Sequence, residues 1–349
     1  RLHNQRISES TFTTAENVVS YLGAMQAQDF SMVRMAVAKR MVSASETDIF
    51  AALNEGKILR THVLRPTWHL VSAQDIGWMI SLTAPAVKQL NKSRNRELEL
   101  TTEVLLKSFD IITRNMVGGV HLSREQITPL LHAEGIRTDE NRLSHILMEA
   151  ELEALICSGQ VKGNKQSYAL LSERVTVRRE LSQEESLAEL AIRYFKAHSP
   201  ATLRDFCWWS GLSVALANKA LASVISMLSL IKSGDETLYT AMNEISATES
   251  ESVHLLPAFD EYLISYRDRS AALAPGLSKT VISVNGLFYP TVILNSQVAG
   301  TWRRKTEKNQ LEVEITMLRP IRKKEQALLM AEGAKYGLFL GRKTVIKLV

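Results

Sequence analysis

One unit recurs three times along this 349-residue chain with little identity between its copies: three helical stretches, then two short strands. That order restricts the fold more than composition does, because sequential elements pack on their neighbours and each strand pair must close on the helices before it. In the first copy Thr14 caps a helix predicted over Ala15 to Met25, a second runs from about Phe30 to Val42, and Ser45 with Asp48 makes a capping box for a third. Gly56 stops it. Lys57 to Leu64 and Thr67 to Val71 alternate and are rich in β-formers, so they read as a hairpin around Arg65-Pro66. Pro66 marks an edge or a bulge. A bridge from Ser72 to Leu100 follows and carries Lys88, Lys92, Arg94 and Arg96.

The second copy has a helix from Thr102 to about Met116, a capping box at Ser123 and Gln126, and a third helix from Glu140 to Ala154. Its strands, Leu155 to Ser158 and Ser167 to Leu171, flank a Gly/Lys tip at 159–166 that suits a wing. The third copy starts at Ser182 with Glu185 completing the box, continues through Thr202 to Ser210 and Ser213 to Ile225, and closes on a hairpin around Ser233-Gly234-Asp235. From Val253 short β-like runs take over, with turns at Asn285-Gly286 and Asn295-Ser296 and one helix from Lys323 to Leu340. Ser246 to Ser252 reads as a linker. The predicted class is mainly α with β (α+β): three tandem winged-helix modules at 1–100, 101–178 and 179–247, then a small β-barrel-like domain at 248–349.

At this length two to four modules are expected, and 45% hydrophobic residues can fill their cores. A net charge of +5, from 42 basic and 37 acidic residues, permits a nucleic-acid partner only where the excess is clustered. Cys157 and Cys207 sit in apolar text without CxxC spacing, which implies buried, reduced thiols and no structural zinc. No signal peptide and no membrane-length apolar run is present, and the start at Arg1 reads as trimmed. Gly163 and Gly118-Gly119 lack the context of a phosphate loop, which disfavours nucleotide hydrolysis.

Chemistry concentrates in a few places. In Tyr21 to Asp29 an apolar helical stretch ends in Gln26, Gln28 and Asp29. The two amides can converge only if the helix stops near Met25, because residues two apart share a side in extended backbone and not in a helix; Ala27 then faces the core. Asp29 reads first as a cap for the next helix. Arg60, His62, Arg65, Trp68 and His69 crowd the first hairpin, where Trp68 reads as core packing and either histidine alone as a buried, hydrogen-bonded group. Trp208-Trp209 also reads as core. Lys162 and Lys165 on the second tip, with Arg303, Arg304 and Lys305, are candidate phosphate contacts or solvated charge. Asp260 and Glu261 are adjacent and should point apart, while Asp268 and Arg269 read as a structural ion pair or turn network.

Gln26-Ala27-Gln28-Asp29, Leu59-Arg60-Thr61-His62 to Trp68-His69, Leu155 to Gly159, Asp205 to Gly211, Leu256 to Tyr262 with Asp268-Arg269-Ser270, and Gly300 to Arg304 together resemble the AlkZ/YcaQ-type DNA glycosylases. The resemblance covers nearly the whole chain. It implies a concave surface of tandem modules holding DNA, and excision of alkylated purines. A purine alkylated on its imidazole ring is already cationic, so its glycosylic bond breaks without strong acid catalysis, and the enzyme must place a water and steady the sugar cation. A neutral carboxamide suits that work. Gln26 and Gln28 are accordingly expected to be catalytic, with Asp29, His62 and His69 as support and Arg60, Arg65, Lys162, Lys165, Arg303 and Arg304 on DNA. The expected partner is double-stranded DNA carrying alkylated bases, with no cofactor, metal or membrane, the chain being a cytoplasmic, nucleoid-associated monomer. A winged-helix regulator without catalysis, or a protein-interaction module, are the alternatives.

Overall fold

The computed structural model describes residues 1–163, 165–241, 251–307 and 310–349. The expected linker, up to residue 250, and the expected 247/248 boundary lie outside them. In order the elements are α1 (Ala15–Leu22), β1 (Met25–Gln26), α2 (Phe30–Ala38), α3 (Glu46–Asn54), β2 (Ile58–His62), β3 (Trp68–Ser72), α4 (Ile76–Glu97) and α5 (Thr102–Arg114). Next come β4 (Leu122–Ser123), α6 (Arg124–Ala133), α7 (Arg142–Leu152), β5 (Ile156–Ser158), β6 (Ser167–Leu170), α8 (Leu171–Arg174), α9 (Gln183–Ala197), α10 (Leu203–Ser210) and α11 (Val214–Val224). The rest are β7 (Leu228–Ser233), β8 (Glu236–Ala241), β9 (Val253–Leu256), α12 (Glu261–Ile264), α13 (Ser278–Val281), β10 (Thr291–Leu294), β11 (Gln297–Glu307), β12 (Gln310–Met317), α14 (Lys323–Phe339) and β13 (Lys343–Leu348). The protein is thus a mixed α+β chain. It divides into two compact units, one of Arg1–Ile49, Ile192–Trp209 and Val224–Val349, the other of Phe50–Ala191 and Ser210–Ser223.

Local chemistry accounts for the helix ends. Thr14 caps α1, and the box of Ser45 and Asp48 closes in both directions, as does that of Ser123 and Gln126. Helix α1 stops three residues before the expected Met25, because Gly23 takes a φ of 82° and returns its N–H to Ser20 O. Helix α2 likewise ends at Ala38, with the fully buried Arg40 drawn inward rather than left on a helix surface.

In the second unit, β2 and β3 pair antiparallel with His62 opposite Trp68 and Arg60 opposite Leu70. The strands β4, β6 and β5 form one small sheet in that order, over a core that includes Phe109, Ile112, Ile127, Leu131, Ile146 and Leu147. In the first unit the C-terminal strands run β13-β12-β11-β10-β9. Asn295 and Ser296, both at positive φ, make the expected two-residue turn between β10 and β11. The sheet remains open, half a barrel: β13 joins β12 in parallel after the α14 crossover, and α14 packs against both edge strands. Cys157 is buried and its thiol is pushed up to about 12 by that burial, whereas Cys207 is only half-buried, contrary to the expectation for both cysteines. Among the described residues no single helix is long and apolar enough to cross a membrane.

Candidate active site

After Gly23 the chain runs extended through Met25 and Gln26 and bends at Gln28. Ala27 is fully buried and faces the core as expected, but Ala24 to Ala27 are all buried, so the run does not alternate. Gln26 is buried at 6% exposure, whereas Gln28 is open to solvent, so the two amides occupy the inner and outer ends of one short segment. The backbone N–H of Gln26 donates to Glu261 Oε1 at 2.6 Å. Glu261 is itself buried, and its other oxygen accepts from the Ser265 hydroxyl and from the Trp209 indole N–H at 3.3 Å, with His198 Nε2 at 3.8 Å. Burial works to raise this carboxyl, but His198, Ser265 and the Gln26 N–H outweigh it and hold it down at about 2. An ionised group therefore fixes the backbone of Gln26.

Asp29 caps α2: its Oδ1 accepts from Ser31 N at 2.9 Å, Ser31 Oγ at 2.6 Å and Met32 N at 3.0 Å. Ser31 Oγ also receives Arg304 Nη2 at 2.6 Å, and Arg304 Nη1 donates to the Tyr336 hydroxyl. This ties the segment's end to β11 and α14. A cavity of about 750 Å³ opens there, lined among others by Asp29, Met32, Tyr289, Arg303 and Arg304. Arg303 is exposed and pairs with Glu314.

The β2 and β3 strands are almost wholly buried. Arg60 and His62 are both buried; the Arg60 guanidinium lies 4.0 Å over the Trp68 ring and bonds Gln166, and His62 Nδ1 meets the buried Glu151. His69 is 1% exposed and contacts Thr67 O at 2.9 Å, and Arg65 is half-buried in the connecting loop. Lys162 and Lys165 differ: they pair backbone to backbone at an exposed tip. Among the described residues no group of three or more His, Cys, Asp or Glu could hold a metal ion.

The family model for "DNA glycosylase AlkZ-like" matches residues 19–339. The chain belongs to the AlkZ-like DNA glycosylases. It is therefore a hydrolase of N-glycosyl bonds. A relative from Streptomyces sahachiroi named "Interstrand DNA cross-link repair glycosylase" is 25% identical over 326 residues, covering 86% of this chain and 85% of its own. The solved structure of the Streptomyces sahachiroi DNA glycosylase AlkZ superposes with a TM-score of 0.84 at 20% identity, over 100% of this chain and 97% of that one, and so shares its fold. Neither likeness points to a regulator without catalysis.

In this AlkZ-like chain the groups that hold the segment escaped the sequence reading. Asp260 and Glu261 do point apart, but to defined partners: Asp260 takes both ends of the buried Arg40 guanidinium at 2.8 and 2.9 Å, and Glu261 takes Gln26. Asp268 caps the turn at Ser270, while Arg269 donates to Leu263 O and lies over the Trp208 and Phe288 rings. Trp209 is core, yet Trp208 is 41% exposed, with its indole N–H donating to Ile264 O, which corrects the reading of both as core. The single clue was Glu261 itself, a carboxylate inside apolar text, which a buried donor must satisfy.

Proposed function

We propose that this glycosylase hydrolyses the N-glycosylic bond of alkylated purines, cationic or bulky, in duplex DNA, with Gln26 and Gln28 holding the attacking water and steadying the developing sugar cation. What carries the reading is the segment between α1 and α2: two neutral amides two residues apart, one fixed by a buried carboxylate through its backbone, the other open to solvent and without a hydrogen bond to the described residues. A fixed amide aligns water at little entropic cost, and an open one can meet substrate. Asp29 supports them by its cap and by the negative charge it places beside the cavity.

The phosphate contacts we assign are Lys162, Lys165, Arg303 and Arg304, the lysines for their exposure and the arginines for their place on the cavity next to Asp29. Arg60, Arg65, His62 and His69 shape the β2-β3 hairpin from within rather than touching the reacting atoms, since they are buried or half-buried among neighbours. In the same reading the three helix-and-hairpin repeats are winged-helix modules, and the C-terminal sheet is a partial barrel. The name of the relative, an interstrand DNA cross-link repair glycosylase, supports including cross-linked DNA among the proposed substrates. The test is release of free base from a panel of alkylated duplex oligonucleotides by the full chain. Retention of release in Gln26→Ala/Gln28→Ala would remove the mechanism.

A further inference from the structure

A second cavity in the unit that carries Gln26, about 790 Å³ in volume, shares no lining residue with the one at Asp29. The end of α2, the turn after it, α14 and His254 of β9 form its wall. Buried donors there lack acceptors. The Lys39 side chain, only 14% exposed, donates to Glu332, 7% exposed, and among the described residues that is the one acceptor its ammonium finds. An ammonium can serve three. His254 is 8% exposed, and its Nε2 has no hydrogen-bond partner among the described residues. Burial, and then the nearby Lys39 charge, pushes this imidazole down to about 4, so at pH 7 it is neutral with one N–H to donate. Glu332 is largely neutralised, because Lys335 holds its other oxygen at 2.7 Å. Asp48, the remaining carboxylate on the wall, is exposed and committed to Ser45. The mouth is apolar instead: Val42 is 64% exposed and Leu338 79%. Water could fill the donors, but it gains nothing from such a mouth.

We propose that this cavity binds a small organic acid, its carboxylate accepting from Lys39 and His254 and its apolar body lying on Val42 and Leu338. Two oxygens at one end of the ligand match donors on two side chains, with charge assistance at Lys39. An amine in their place would meet two ammonium groups, Lys39 and Lys335. The volume falls in the range of small-molecule sites, where a few placed polar groups sit among apolar walls. No residue of the catalytic segment takes part, so the site does not depend on Gln26 and Gln28 acting as proposed.

The test is calorimetric titration of the full chain with sodium octanoate. Wild type should bind one octanoate per chain, while acetate, which lacks the apolar body, and octanol, which lacks the charge, should each bind about tenfold more weakly or worse. Lys39→Met should weaken octanoate about tenfold or more. That change leaves Glu332 with one partner fewer and can cost folding, so Leu338→Glu is the second variant. It alters an exposed position of α14, should melt with wild type, and should weaken octanoate by about the same factor, because it sets a charge where the apolar body lies. No binding in wild type, octanol binding as well as octanoate, or octanoate binding unchanged in Leu338→Glu or in a folded Lys39→Met overturns the site. Many octanoates bound weakly per chain would mean surface association only and overturn it too. Inorganic phosphate binding as tightly as octanoate would assign the donors to phosphoryl groups, which also overturns an organic acid as the ligand.

Discussion

Replacing Glu261 by glutamine keeps the side-chain shape and removes the charge that fixes Gln26. The carboxylate now accepts from Gln26 N, Ser265 Oγ and Trp209 Nε1; an amide would turn one acceptor into a donor, facing either a backbone N–H or the hydroxyl and indole donors. Hydrogen bonds to a charged group contribute about 1.5–3 kcal/mol each, so losing the charge should cost about 3 kcal/mol of stability. The depressed carboxyl leads to a similar figure, since a fall from 4.5 to about 2 corresponds to about 3 kcal/mol. The sign follows from the direction: a folded-state value below the unfolded one stabilises above the unfolded value and loses that stabilisation as pH falls toward about 2. Urea unfolding of wild type and Glu261→Gln should therefore differ by about 3 kcal/mol at pH 7 and by roughly half as much at pH 3. Base release at pH 7 should fall as well, because the Gln26 backbone loses its anchor. A gap that is the same at both pH values, or a variant as stable and active as wild type, would refute an ionised Glu261 as the fixture.

Three further outcomes follow from the same geometry. Gln26→Ala/Gln28→Ala should slow release of alkylated purine by about 100-fold or more while duplex affinity in a mobility-shift assay changes little. Lys162→Ala/Lys165→Ala should weaken binding alike for all sequences and reduce the slope of log affinity against log salt by about 2; an unchanged slope places the tip off the DNA path. Gly211→Ala should destabilise by about 3 kcal/mol or more in a thermal melt, since Gly211 has a φ of 69° and an added Cβ would lie 2.1 Å from Leu64 O.

Much of the helix order was legible because it is written locally. The boxes at Ser45, Ser123 and Ser182 need only residues three apart, and each forms as read. The ends of α1 and α2 were less legible: Met25 continues an apolar pattern, and nothing local says that Gly23 will turn the chain first. The hairpin at Arg60 to His69 was legible in part: both histidines are buried, as each reads singly, but the partner of His62 lies elsewhere in the chain. Arg60 covers Trp68, and His62 finds Glu151 from 89 residues away. Sequence cannot announce that partner. A still longer separation, 235 residues, hid Glu261 from Gln26.

That pairing across the chain fits the proposed use of neutral amides in a segment so short. A catalytic side chain on a loop usually loses precision to backbone motion, and the loss grows when both ends of the loop are free. Here the inner end is tied to a buried anion by the Gln26 N–H, and the outer end is tied by Asp29 to the first turn of α2 and through Ser31 and Arg304 to Tyr336. Only Gln28 and its neighbours remain between the two ties. On the proposed mechanism the two amides therefore act from a segment held at both ends, as placing a water requires.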